Sequence, residues 1–187
     1  YTLIELMAML AVVSVLVSIG LPMMKVFFDS NRMISNSNDL VAGLNIARSE
    51  AIKQQIRVTL CQSDDTASCT GSGLWEDGWI VFQDPNGNAS VDGGERILRL
   101  NAGIDGGQVT IRSNDVGNQI LNSVSFTSRG LPKALNGGSQ SGTFRICDKR
   151  GLKVNADGTT TVARGVNLSL SGKVRSTNQL AEIASCP

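Results

Sequence analysis

The chain contains no histidine. That absence removes Ser-His-Asp and Cys-His catalysis and zinc sites built on the usual Cys/His spacing. There is no glycine-rich phosphate loop and nothing arranged as an activated nucleophile, so the chain is read as non-enzymatic. Neither sign of charge dominates: 17 Lys and Arg stand against 16 Asp and Glu, a net charge of +1, and the chain as a whole announces no partner. No Lys or Arg precedes Lys25, so the basic n-region of a secretory signal is absent, as is a small-residue cleavage site. The chain does not start with methionine. A start at Tyr1 suggests that a leader has been removed on the N-terminal side, leaving the apolar run that follows in the mature protein.

That run is the first thing present. From Leu6 to Met24 there is no charged side chain, close to the roughly 20 apolar residues that an α-helix needs to cross a bilayer. Beyond Gly20 and Pro22 the pattern turns amphipathic, with Leu40, Leu44, Ala47 and Ala51 at helical spacing and Met33 and Val41 near the same face. One helix is expected from about residue 2 to about residue 55, roughly 80 Å long. Pro22 should kink it or open it locally, because its ring removes a backbone hydrogen bond. The expected organisation is a membrane or bundle helix over 1–28, an amphipathic helix packed on a head over 29–55, and a β-rich head over 56–187.

The head is read from short runs broken by Gly, Asn and Asp: IRVTLC, WIVFQ, RILRL, QVTIRS, SVSFTS, TFRIC and VNLSL. Such spacing implies antiparallel sheets, with turns at DPNGN, DGG, NGG and NADG. The fold class is therefore α+β: a long N-terminal helix, apolar in its first half, followed by an antiparallel β-rich head. Four cysteines, Cys61, Cys69, Cys147 and Cys186, form no CxxC pair, and two disulfides in an oxidising compartment fit best. Three connectivities are open. The favoured one pairs Cys61 with Cys69 across a short loop and Cys147 with Cys186 to tie down the C-terminus.

Glu5 is the residue out of place. A carboxylate inside a bilayer costs roughly 2.5–3.5 kcal/mol on insertion scales, so it is expected to have a partner, unless it lies at headgroup level. Two such helices, shifted along their axes, would pair Glu5 of one with the Tyr1 α-amine of the other and so set their register.

YTLIELM resembles the mature N-terminus of type IV pilins and type II secretion pseudopilins: an aromatic first residue, a glutamate at the fifth position and a proline where Pro22 stands. ARSEAIKQ, VTLC, GWIVFQD, GERILRL and ARGVNLSLSGKVR resemble the FimT/FimU/GspH branch. The resemblance implies N-methylation of Tyr1, with Tyr1, Glu5 and Pro22 serving assembly. It implies a single-pass inner-membrane subunit with a periplasmic head, assembled into a fibre by a platform protein and an ATPase. It also implies other minor pilins and the major pilin as partners, a place near the fibre tip, and a part in priming pilus assembly. A GspH-like minor pseudopilin of type II secretion and a DNA-binding pilus subunit for DNA uptake are the alternatives.

Three further signals are weighed. DNA-uptake members share a late GRxR motif; here Gly172-Lys173-Val174-Arg175 keeps the charge but loses bidentate phosphate geometry at lysine. On a strand Lys173 and Arg175 project to one face; Arg164, Lys149 and Arg150 are candidates to join them, against the plainer reading of a solvated strand edge. Asp84, Asn86, Asn88, Asp92 and Glu95 stand at EF-hand offsets and would offer oxygen to calcium. Ala89 replaces the glycine that loop needs, however, and a strand precedes it, so a hairpin with a type I′ turn at Asn86-Gly87 is favoured and no cofactor is required. Trp79, alternating with Val81, is expected in the core, and Trp75 on the surface.

Overall fold

The structure is a computed structural model that describes residues 2–186 apart from 72–73, 105–107 and 115–119; the side chains at 22, 23 and 114 are also outside the description. The chain divides into two compact units, Tyr1–Arg32 and Met33–Pro187.

The first unit is helical. Helix α1 (Leu3–Gln54) begins in it and continues through position 22 without interruption, so the local opening expected at the proline does not break the helix. Its described side chains from Leu3 to Phe28 are exposed in the isolated chain, including Leu6, Leu10, Val13 and Leu16. The helix is long and apolar enough to cross a membrane. Two hydroxyls of its apolar segment are satisfied within the helix: Ser14 Oγ donates to the Ala11 carbonyl and Ser18 Oγ to the Val15 carbonyl, both at 2.8 Å. Back-bonding of this kind removes the cost of placing a hydroxyl in an apolar medium.

The second unit starts with the rest of α1. Met33, Ser37, Leu40, Leu44, Ala47 and Ala51 are all buried along one stripe, which is the amphipathic face the sequence indicated. Two four-stranded antiparallel sheets complete it, with strand orders β3-β2-β1-β5 and β4-β6-β7-β8. The strands are β1 (Val58–Gln62), β2 (Trp79–Gln83), β3 (Ile97–Asn101), β4 (Val109–Asn114), β5 (Ser123–Phe126), β6 (Gly142–Asp148), β7 (Thr160–Leu168) and β8 (Val174–Gln179). A one-turn helix α2 (Leu180–Ile183) follows. The fold class is α+β, as the sequence implied.

The main core joins the α1 stripe to Val58, Leu60, Trp79 and Val81 of the first sheet and to Val109, Ile111, Phe144, Ile146, Val166 and Leu168 of the second. The first sheet is buried on its other face as well, where Cys61, Ile80 and Phe82 pack with Cys69, Val91 and Ile97. Burial on both sides explains why Trp79–Phe82 is a continuous apolar run rather than an alternating one. On the outer face of the second sheet, Cys147, Ala163 and Ile183 pack with Leu152 and Cys186.

Three readings of the head need correction. Trp75 is buried, 1% exposed, not a surface anchor: it lies in a short 3-10 turn, donates its indole N–H to the Leu121 carbonyl at 2.9 Å and meets Phe144 edge-on with centroids 5.0 Å apart. No type I′ turn forms at Asn86-Gly87. The β2–β3 connection runs from Asp84 to Arg96, and Gly87 N–H donates to the Asp84 carbonyl at 3.2 Å, closing a turn with Pro85 and Asn86 at its centre. VRSTNQ, absent from the expected strands, is the edge strand β8.

Candidate functional site

At the N-terminus the helix start is built by two side chains. Glu5 Oε2 accepts from Thr2 N–H at 2.8 Å and from Thr2 Oγ1 at 3.3 Å, while Glu5 N–H donates to Thr2 Oγ1 at 3.4 Å. This is a capping box, in which N-cap and third residue satisfy each other's exposed N–H, and it places the acid where the helix dipole favours a negative charge. The Thr2-x-x-Glu5 spacing carried that signal, and the sequence reading passed over it. Glu5 Oε1 keeps no partner among the described residues. Tyr1 lies outside the described residues, so the expected pairing of its amine has no geometry here, and the same holds for the Pro22 side chain.

The two disulfides join Cys61 to Cys69 and Cys147 to Cys186. The first closes a loop braced by Asp65, whose Oδ1 accepts from the N–H groups of Ala67 and Ser68 and whose Oδ2 accepts from Ser68 Oγ. Those bonds, the Ser68 hydroxyl first, hold its carboxyl below the usual range. The second lays the C-terminal segment over the outer face of the second sheet. There a Cβ at Gly165 would lie 2.9 Å from Thr177 Cγ2 and 3.2 Å from Ile183 Cγ1, so glycine is what lets the segment close down.

The basic candidates are dispersed. Arg175 stands across from Asn167 on the outer face and binds Glu182 at 2.5 Å, which lowers the Glu182 carboxyl from its ordinary value. Lys173 is exposed in the Ser169–Lys173 connection just before β8. Arg164 pairs with Ile146 and so points to the opposite face of the sheet from Arg175, half-buried. Lys149 and Arg150 follow the far end of β6. Gly142 aligns with Leu168, and Leu168 with Val174, so the length of β6, about 20 Å, separates them from Lys173. Arg150 is moreover held to Asp148 at 2.6 Å.

The Asp84–Glu95 loop uses its polar groups internally. Asp84 is buried and accepts from Thr59 Oγ1 at 2.6 Å, Asn88 N–H at 3.0 Å and Ala89 N–H at 3.2 Å. Asp92 Oδ2 accepts from the side-chain amides of Asn86 and Asn88 at 2.7 and 2.8 Å. Glu95 Oε2 accepts from the Asp92 N–H at 3.0 Å. Among the described residues no three His, Cys, Asp or Glu side chains converge to hold a metal ion.

The architecture can be set beside known proteins. The profile of the GspH family, described as type II transport protein GspH, matches residues 36–172. The chain belongs to the GspH family. Its fold is shared with the Pseudomonas aeruginosa PAO1 type IV minor pilin FimU. In one crystal form of that protein the match has 21% identity and TM-score 0.53, covering 81% of this chain and 92% of FimU. A second crystal form gives 20% identity, TM-score 0.49 and coverage of 76% and 90%. No curated protein matches the sequence. The chain is thus a GspH-family protein with the fold seen in FimU, and its apolar N-terminal helix has the length and composition to cross a membrane.

Proposed function

We propose that this protein is a minor pilin of a type IV pilus, a non-enzymatic subunit that helps to prime assembly near the fibre tip. The observation that carries the proposal is a charge-free helical surface from Leu6 to Met24, exposed along its described length and headed by Glu5. Such a surface is stable in lipid or in a helical bundle, and a fibre core supplies the second once the first is left. Glu5 acts as the register device. Its Oε2 is committed to Thr2 while Oε1 has no partner among the described residues, so one carboxylate caps its own helix and receives the N-methylated Tyr1 amine of a neighbour.

The type II secretion reading has its own support in the family's description, type II transport protein GspH. One measurement separates the two. Sheared surface fibres are analysed by mass spectrometry beside a deletion strain, with a detection limit of one copy per fibre. Recovery of this chain with the major pilin supports the minor pilin. Its absence from shed fibres, with full recovery in the envelope, moves the assignment to a pseudopilin. In the same strain Glu5→Ala should leave both disulfides formed and the head folded but remove the chain from fibres, and normal incorporation refutes the register role.

A further inference from the structure

Two Asn-Gly pairs occur in the chain, Asn86-Gly87 and Asn136-Gly137, and the structure treats them differently. Both sit in the same local arrangement. The asparagine Oδ1 accepts the N–H of the residue two positions on, Asn88 at 3.1 Å and Gly138 at 3.0 Å, and the glycine N–H closes a turn to the carbonyl three residues back. What differs is the side-chain amide. Asn86 Nδ2 is fastened to the Asp92 carboxylate at 2.7 Å, and the Arg57 side chain lies 3.3 Å from a Cβ built on Gly87. Asn136 Nδ2 has no partner among the described residues, both Asn136 and Gly137 are exposed, and nothing lies within 4 Å of a Cβ at Gly137.

We propose that Asn136 is a site of spontaneous deamidation in the folded protein, with water as co-reactant, and that it converts well ahead of Asn86. Gly137 N gives its proton to solvent base and attacks Asn136 Cγ, forming the new N–C bond. The negative charge goes to Oδ1, where Gly138 N–H is already placed to stabilise it, as a fixed donor does for any developing oxyanion. Collapse breaks the Cγ–Nδ2 bond, and Nδ2 takes a proton from water and leaves as ammonia. Water then opens the five-membered imide at either carbonyl, giving aspartate or isoaspartate. Attack forfeits the Gly137 N–H bond to the Ala134 carbonyl, 2.9 Å, one ordinary hydrogen bond in a solvated turn. At Asn86 the departing amide must also be pulled from the Asp92 carboxylate, a charge-assisted bond of about twice ordinary strength.

The product changes a covering strap. Lys133 N–H donates to the Ser125 carbonyl at 2.8 Å, and the buried Gln140 side chain accepts from Ser125 N–H and donates to the Ser123 carbonyl, both at 3.0 Å. The segment thereby covers the outer edge of β5. Isoaspartate at 136 removes the Ala134–Gly137 turn bond, lengthens the backbone and adds a negative charge, so the strap loosens as the molecule ages.

The test uses the full chain in detergent micelles, incubated folded in mildly alkaline buffer made with oxygen-18 water and then mapped with trypsin. Cleavage after Lys133 and Arg145 releases ALNGGSQSGTFR, with Asn136 its one asparagine, and cleavage after Arg57 and Arg96 releases the peptide with Asn86. The expected result is isotope-labelled aspartate and isoaspartate forms of the first peptide, accumulating several-fold faster than acid forms of the second. Unfolding in denaturant with reduction should narrow the gap, and Asp92→Ala should raise conversion at Asn86 in the folded chain. Equal rates at the two sites in the folded protein, or an unconverted Asn136 over a period in which the unfolded chain converts, overturns the proposal.

Discussion

Replacing both members of a disulfide by alanine should cost more at Cys147–Cys186 than at Cys61–Cys69. The bridges span 39 and 8 residues of sequence. If a crosslink acts by restricting the unfolded chain, the longer loop contributes about 4 kcal/mol and the shorter about 2.5 kcal/mol. The longer bridge also holds a patch together, since Ile183 is fully buried and packs over Cys147 and Ala163. With Cys186 released, α2 is a single turn with no side-chain N-cap and does not persist alone. For a head of this size each kcal/mol lowers Tm by about 2–4 °C. The double alanine variant at 147 and 186 should therefore melt lower by about 8–16 °C, and the variant at 61 and 69 by about 5–10 °C. The assay is near-ultraviolet circular dichroism of the full chain in mild detergent, which reports the head through its two tryptophans. A larger drop for the 61/69 variant, or no drop for the 147/186 variant, refutes the reasoning.

Gly43→Ala should lower Tm in the same assay: a Cβ there would lie 2.6 Å from Trp79 Cη2 and 3.2 Å from Leu60 Cδ1. Overpacking of about 1–3 kcal/mol outweighs the helix propensity gained, because the Trp79 ring is buried against α1; an unchanged or higher Tm would show that it can move aside. Acid should destabilise the head. Bonds from the Ser68 and Thr160 hydroxyls respectively hold the Asp65 and Asp157 carboxyls low, and the Arg175 guanidinium does so for Glu182. A carboxyl depressed on folding contributes stability above its unfolded value, about 4, and loses it as pH falls through the folded one. Tm should be level from neutral pH to about 5 and decline below about 4, with a shallower decline in Asp65→Asn; a level profile to the acid limit contradicts this. Because the basic residues are split between two sheet faces and two strand ends, the full chain should show no salt-sensitive duplex DNA binding that depends on Lys173 and Arg175. An affinity that collapses in the Lys173→Glu, Arg175→Glu variant would reverse that expectation.

Legibility in the sequence followed how local the deciding physics was. The α1 stripe was readable because Leu40, Leu44, Ala47 and Ala51 sit on a helical period amid charged neighbours. Seven strands were marked by apolar runs between turn residues. The eighth, Val174–Gln179, has no apolar alternation: it is an edge strand with Arg175 and Ser176 exposed, and only pairing with β7 makes it a strand. Trp75 looked superficial beside Glu76, Asp77 and Gly78, yet the carbonyl of Leu121 and the ring of Phe144 decide its burial, and both are distant in sequence. The basic residues show the same limit from the other side. Arg164, Lys173 and Arg175 are close in sequence, but antiparallel pairing fixes the face of each, and one residue of parity turns Arg164 away from Arg175.

The N-terminal box bears on why a glutamate, rather than another polar residue, suits position five. Glutamine can also close a capping box with threonine, so the cap alone does not demand a charge. An aspartate is one methylene shorter and reaches back less readily to the Thr2 N–H. A carboxylate brings two equivalent oxygens, one to satisfy the helix start and one to meet a cation. In lipid, before assembly, the box already gives one oxygen its hydrogen bonds, lowering the cost of an acid near the apolar run. On the proposed register role, the second oxygen would gain an ionic partner in the fibre without the first giving up the cap. If the register role holds, Glu5→Gln should therefore keep the helix start intact and still fail to enter fibres, which separates charge recognition from helix capping in a way that Glu5→Ala alone does not.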